Sequence, residues 1–239
     1  MSITAADLAK MEFDYYELSA PWDKIIGKPE KNGSILMYSP AGSGKSTVAL
    51  LMCNEFARHE KVLFVPAEEG ISRTLQDKVT RIGLGNSPIE FHDWKGHEDL
   101  KKHLKENKIK VLCIDSYTII DERLASFEAF RLWCKENDIF FITIVQQTKD
   151  GKFLGKSTAG FNVDCKIQVF EGRPSTKATG KNRFGDLYEH DEDLTKTKAP
   201  KISKPKKERK STKKKTGTKK PKPATDIDTT MTEIEDLLK

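Results

Sequence analysis

The sequence has no run of 18 apolar residues, so no segment is long enough to cross a bilayer as a helix. It has no CxxC pair. Its four cysteines, Cys53, Cys113, Cys134 and Cys165, are widely spaced within largely apolar stretches. That pattern argues against a zinc site and for buried, reduced thiols in an intracellular protein. The amino terminus, MSITAADLAKMEFDYYEL, lacks the charged-then-apolar layout of a secretory signal. Its first ten residues read as a short helix with Ser2 or Thr4 as cap. No internal repeat is visible. These absences point to the cytoplasm, or to the nucleus only in a eukaryotic host, and to no membrane partner.

Charge is unevenly placed. The chain has 239 residues and a net charge of +6. Residues 195–225 carry 14 Lys or Arg against the single acid Glu208, and residues 226–239 carry five acids against Lys239. Residues 1–194 are left with a net of −3. The basic stretch has no aromatic and almost no apolar residue. It cannot bury enough surface to offset chain entropy, so a disordered tail is expected. Such a tail binds nucleic-acid backbones with steep salt dependence and without base stacking. A nuclear-localisation signal around KPKKERK and a plain solubility tail are the competing readings. The tip, TTMTEIEDLLK, makes a short amphipathic helix with Met231, Ile234, Leu237 and Leu238 on one side, too short to be stable alone. The expected divisions are an amino-terminal segment 1–19, a core 20–194, a lysine-rich tail 195–225 and an acidic tip 226–239.

Within the core, strands alternate with helices. SILMY (34–38), KVLFVPA (61–67), KVLCIDS (110–116) and IFFITIVQQ (139–147) read as buried strands, and DCKIQVFEG (164–172) alternates like a fifth. Residues 45–58 carry Val48, Leu51, Met52 and Phe56 at helical spacing. Thr74–Ile82, His97–Lys105 and Phe127–Lys135 also read as helices. This order predicts an α/β fold: a mostly parallel, twisted sheet with helices on both faces. Ligands of such sheets bind beyond the carboxyl ends of the strands.

The chemistry falls at those ends. SPAGSGKST, residues 39–47, lies between a strand and a helix, where backbone N–H groups and a helix N-terminus hold phosphates. The stretch Ser39, Pro40, Ala41, Gly42, Ser43, Gly44, Lys45, Ser46 and Thr47 is therefore the expected nucleotide cradle. Lys45 reaches the outer phosphates and Ser46 holds Mg²⁺. The first position, normally glycine, is Ser39. Asp115 closes an apolar strand and is expected to support the metal. Glu68 and Glu69 follow another strand, and either carboxylate can activate a water molecule; Glu68 is preferred. Gln146 and Gln147 end a fourth strand, where an amide can sense the terminal phosphate. Lys149, Lys152 and Lys156, in the Gly/Lys-rich stretch 148–162, are candidate contacts to a nucleic-acid backbone; a plain surface loop is the competing reading. GKNRFG (180–185) is a compact basic turn whose Lys181 and Arg183 can stabilise phosphate charge, including that held by a neighbouring subunit.

In this order the motifs resemble the RecA/RadA recombinase superfamily, and within it the bacterial RadA ATPase core. SPAGSGKST is similar to the family's Walker A, and KVLFVPAEEG looks like the strand that carries its catalytic glutamate, which maps to Glu68. VLCIDSYT looks like Walker B, with Asp115. FFITIVQQTKDG resembles the strand leading into a DNA-binding loop, and KNRFG is letter for letter the RadA signature. The resemblance spans roughly residues 20–190. It implies a RecA-like P-loop NTPase core with ATP and Mg²⁺ as cofactors. It also implies single-stranded DNA as partner, self-association into a filament or ring, and Lys181 and Arg183 acting near ATP at a subunit interface. The activity expected is ATP hydrolysis coupled to DNA recombination, repair or annealing. The chain has room for neither the zinc module nor the protease-like domain of RadA, so it is closer in size to the shortened recombinases of bacteriophages. The acidic tip would then meet a single-strand-binding or replication protein. A hexameric helicase-type motor and a non-catalytic DNA-coating protein with a vestigial ATP site remain open alternatives.

Overall fold

The computed structural model describes residues 2–122, 124–147 and 162–202. The chain divides into two units, Met1–Ser203 and Lys204–Lys239, and the described residues belong to the first. Lys149, Lys152, Lys156, most of the basic tail and the acidic tip lie outside them.

Seven strands form one sheet: β1 Ser34–Ser39, β2 Val62–Val65, β3 Glu90–Phe91, β4 Val111–Ile114, β5 Phe140–Gln146, β6 Cys165–Phe170 and β7 Arg173–Ser175. Their order is β3-β2-β4-β5-β1-β6-β7. Every pairing is parallel except the antiparallel β6–β7 edge. Strands β1, β2 and β4 are buried along their whole length, as continuous apolar runs require when both faces are covered. β6 alternates, with Cys165, Ile167 and Val169 turned into the core. β3 and β7 are two and three residues long, too short to leave a periodic signal.

The helices are α1 Ala5–Leu8, α2 Trp22–Ile25, α3 Lys45–Phe56, α4 Arg73–Arg81, α5 His97–Glu106, α6 Tyr117–Ile120 and α7 Phe127–Glu136. Thr4 caps α1 by accepting from the N–H of Asp7. Two apolar clusters cover the two sheet faces. One joins α2, α3 and α4 to the inward residues of β1, β2, β5 and β6. The other joins α5, α6 and α7 to the opposite face.

The spacing of α3 predicts one apolar stripe, but the structure buries all but one of its residues, including Asn54 and Glu55. Two segments cover its outer side. Glu55 accepts from the N–H of Ser19 at 2.6 Å. The side-chain amide of Asn54 donates to the carbonyl of Pro200 at 3.1 Å. The second contact corrects the boundary expected at residue 194. Leu194 and Ala199 are buried in the core, and the N–H of Ala199 donates to the carbonyl of Ile82 at 2.8 Å. Lysine-rich composition hid this strap because two apolar side chains, Leu194 and Ala199, suffice to anchor it.

The KNRFG turn is also anchored. The N–H of Phe184 donates to Asn182 Oδ1 at 3.0 Å, and the Phe184 carbonyl accepts from Lys28 N–H at 2.9 Å. Gly27 has φ +89°, and a Cβ there would overlap the Phe184 carbonyl. Gly27→Ala is therefore expected to lower stability by about 1–3 kcal/mol, read as a drop in the urea midpoint with the slope unchanged.

Candidate nucleotide-binding site

The carboxyl ends of β1, β2, β4 and β5 surround a cleft of about 310 Å³, lined by the phosphate loop, Glu68, Glu69, Lys78, Asp115 and Gln146. β1 delivers the chain into the loop and α3 takes it away. Gly44 stands at the N-cap of α3 with φ +91°, and a Cβ there would lie 2.6 Å from Thr195 Cγ2. A side chain is thus excluded by both conformation and space. The first-turn N–H groups of α3 have no intrahelical partners and carry the positive end of the helix dipole. The loop is braced from outside: the N–H of Gly172, in the β6–β7 turn, donates to the Ser43 carbonyl at 2.8 Å.

Ser39 is fully buried. Its hydroxyl bonds to that of Ser43 and donates to the Pro40 carbonyl. The side chain that replaces the usual glycine is accommodated inside the loop. Lys45 Nζ donates to the carbonyls of Ser39 at 3.1 Å and Pro40 at 2.7 Å. Burial pushes the Lys45 ammonium below its ordinary pKa, while Asp115 and Glu68 pull it back up.

Asp115 directly follows β4 and is 3% exposed. The Ser46 hydroxyl favours the charged form of the Asp115 carboxylate. Its Oδ1 has no hydrogen-bond partner among the described residues. Burial, reinforced by Glu68 and Glu69 and opposed by Ser46 and Lys78, pushes the carboxyl up to about 6. A buried carboxylate with an unpaired oxygen beside a serine hydroxyl fits a hard divalent cation, which takes oxygen donors. Among the described residues no three His, Cys, Asp or Glu side chains form a metal cluster. The donor set thus suits Mg²⁺, which keeps waters and phosphate oxygens in its shell.

The two adjacent glutamates have different environments. Glu69 is paired with Lys78 at 2.6 Å. Glu68 lines the same cleft without an ion pair among the described residues, and its N–H donates to the Asp115 carbonyl at 2.9 Å. Gln146 ends β5 in register with Ser39. The structure therefore brings Gly42, Gly44, Lys45, Ser46, Thr47, Glu68, Asp115 and Gln146 into one cleft.

It does not bring Lys181 and Arg183 there. The N–H of Arg183 donates to the Asp164 carbonyl at 3.0 Å, and the Lys181 carbonyl accepts from Lys166 N–H at 3.1 Å. These are at the amino end of β6, level with Ser34 and Ile35 of β1. The phosphate loop begins at the other end of β1, roughly 16 Å away at the ordinary rise per residue. Sequence reading missed Lys78, Gly172 and Thr195. Lys78 lies on a legible helix, but its reach to Glu69 depends on how α4 packs. Nothing local to Gly172 or Thr195 signals that they back the loop.

This fold and cleft are those of a P-loop nucleotide-binding protein, and the chain is similar to RadA-type and KaiC-like proteins. Residues 6–152 match ResIII, described as the type III restriction enzyme res subunit, and the chain belongs to that family. It is 31% identical to the DNA repair protein RadA of Aquifex aeolicus, over 66% of this chain and 39% of that protein. It is 25% identical to the DNA repair protein RadA of Haemophilus influenzae, over 70% of this chain and 40% of that one. The chain thus spans about two fifths of the length of these curated relatives. A KaiC-like protein of Pyrococcus horikoshii OT3 shares the fold, with a TM-score of 0.52 at 21% identity over 66% of this chain and 81% of the other.

The Asp115 shift has a consequence for stability. Its folded pKa of about 6 lies above the ordinary 3.8, so between these values the folded state holds a proton that the unfolded state releases. The Asp115 contribution to ligand-free stability should therefore fall as pH rises through this interval, by about 3 kcal/mol. Asp115→Asn is expected to flatten that fall and melt higher than the parent at pH 7.5 without ligand, while losing stabilisation by MgATP. Thermal melts from pH 4 to 8, with and without MgATP, check both.

Proposed function

We propose that this chain hydrolyses ATP and couples the cycle to single-stranded DNA in recombination, repair or annealing. The observation that supports it most is the convergence on one cleft of Lys45, the Ser46–Asp115 pair and an unpaired Glu68. Lys45 holds the outer phosphates of ATP, and Ser46 and Asp115 hold Mg²⁺, which neutralises developing phosphate charge. Glu68 orients a water molecule and accepts its proton. Glu69 cannot do so while paired with Lys78. Gln146 sits where the terminal phosphate would end, on the strand whose continuation carries Lys149, Lys152 and Lys156, the DNA contacts in this reading.

ATP turnover with and without single-stranded DNA is the direct test. Lys45→Ala should abolish nucleotide binding. Glu68→Gln should retain binding and lose roughly 10²–10⁴-fold in turnover, whereas Glu69→Gln should change turnover far less. Normal turnover in Glu68→Gln would refute the assignment of the base. Family membership also favours a second reading, a helicase-type motor; ATP-dependent unwinding of a forked duplex would select it over annealing or strand exchange.

Lys181 and Arg183 lie too far from the chain's own phosphate loop to serve it, and in this reading they complete the site of an adjacent copy. Arg183→Ala and Lys45→Ala should each be inactive alone. Mixing them should restore part of the turnover, because some interfaces then pair an intact loop with an intact arginine. A mixture no more active than its components would refute assembly through this pair.

A further inference from the structure

Helix α4 aims two cations at the phosphate loop. Lys78 and Arg81 are three residues apart and so share a helix face. Glu69 neutralises Lys78. Arg81 has no carboxylate partner among the described residues. Its Nη1 donates to the Thr195 carbonyl at 3.0 Å and its Nη2 to Thr47 Oγ1 at 3.4 Å. A guanidinium has five N–H donors in a flat fork, so donors remain available beside Thr47.

Thr47 is buried in the first turn of α3. In a phosphate loop the lysine serves the outer phosphates, the next residue the metal, and the backbone N–H groups the inner ones. Thr47 follows that lysine–serine pair into the helix, so its first-turn N–H belongs to the backbone set that serves the inner phosphates. The strap closes this side: Leu194 N–H donates to the Gly172 carbonyl at 3.1 Å, and Lys198 Nζ donates to the Arg81 carbonyl. The exposed Arg81 guanidinium, without a carboxylate partner among the described residues, is thus held between the strap and Thr47, beside those first-turn N–H groups.

We propose that Arg81 is a nucleotide-binding residue that takes the innermost phosphate of a bound nucleoside di- or triphosphate. The proposal rests on the phosphate-loop reading above. It is distinct from the roles of Lys45 and Asp115, which concern the outer phosphates and the metal.

The test is displacement of a fluorescent ATP analogue from the full chain by ATP, ADP and pyrophosphate. Arg81→Ala should weaken ATP and ADP by roughly ten- to a hundredfold, the loss of one charged hydrogen bond. Pyrophosphate, which fills the outer positions under Lys45 and lacks the innermost phosphate, should stay within about twofold by the same reasoning. Arg81→Lys keeps the charge without the fork and should recover part of the loss. Lys198→Ala, which frees the strap's hold on the Arg81 carbonyl but spares the guanidinium, should leave all three affinities unchanged. Unchanged ATP affinity in Arg81→Ala would overturn the proposal. So would an equal loss of pyrophosphate, or a loss reproduced by Lys198→Ala, because Arg81 would then only brace the loop. If the parent binds neither ATP nor pyrophosphate, the phosphate-loop reading fails and this proposal fails with it. If the parent binds both and Arg81→Ala does too, only the Arg81 assignment falls.

Discussion

The Asp115 carboxylate is removed almost entirely from water and left with one oxygen unpaired. An isolated ionised carboxylate in such a place is costly and answers by raising its pKa or acquiring a cation. Ser46 alone does not satisfy it. Lys45 is turned toward the loop carbonyls, and Lys78 is engaged by Glu69. The fold thus stores an unmet demand for positive charge where β4 ends. A cation that arrives with a phosphate chain meets that demand and that of the helix N-terminus at once. On the proposed reading, this coupling would favour a metal–nucleotide pair over either partner alone.

The same logic separates the two glutamates. In sequence Glu68 and Glu69 are equivalent: adjacent, both beyond a strand, both within reach of a nucleotide. In the fold, the Glu68 N–H is held by the Asp115 carbonyl, and α4 delivers Lys78 to the next residue. One carboxylate becomes structural, pinning α4 over the cleft, and the other keeps its lone pairs. The loop is fixed from behind as well. The β6–β7 turn and the strap after Asp193 hold Ser43 and crowd Gly44. The cradle is therefore shaped by segments more than a hundred residues downstream.

Chemistry that depends on strand ends was legible in the sequence. Apolar runs terminated by Ser39, Asp115 and Gln146 announce both the strands and the residues at their carboxyl ends, because a parallel sheet places all such ends on one edge. The five longer strands and four longer helices follow from apolar runs and periodicity. Contacts that depend on packing angle were not legible. Lys78 and Arg81 belong to a helix whose position was predictable but whose tilt over the loop was not. The strap 193–200 was concealed by its lysines: only Leu194 and Ala199 anchor it, and two buried side chains in a basic segment give no periodic signal. KNRFG was legible as a motif, while its anchoring through Phe184 against Gly27 required the structure.

The sheet separates charge between its two ends. At the carboxyl edge lie Glu68, Glu69 and Asp115 around a lysine directed into the loop. At the amino end of β6, Arg131, Lys166, Lys181 and Arg183 gather around Asp164, and burial followed by the Arg183 and Lys166 charges pushes the Lys181 ammonium below its ordinary value. Asp164 pairs with Arg183 and Glu128 with Arg131, so two of these cations are already compensated within the chain. Within one copy the sheet keeps this cluster about a strand length from the phosphates it could relieve. A head-to-tail contact between copies removes that separation, since such interfaces bring opposite ends together and propagate into rings or filaments. On the proposed reading, nucleotide then strengthens the assembly because its phosphates add negative charge beside a net basic cluster of the adjacent copy. Hydrolysis and phosphate release would withdraw that compensation and loosen the contact. The direction of this coupling follows from where the sheet puts its charges and requires no rearrangement of the core.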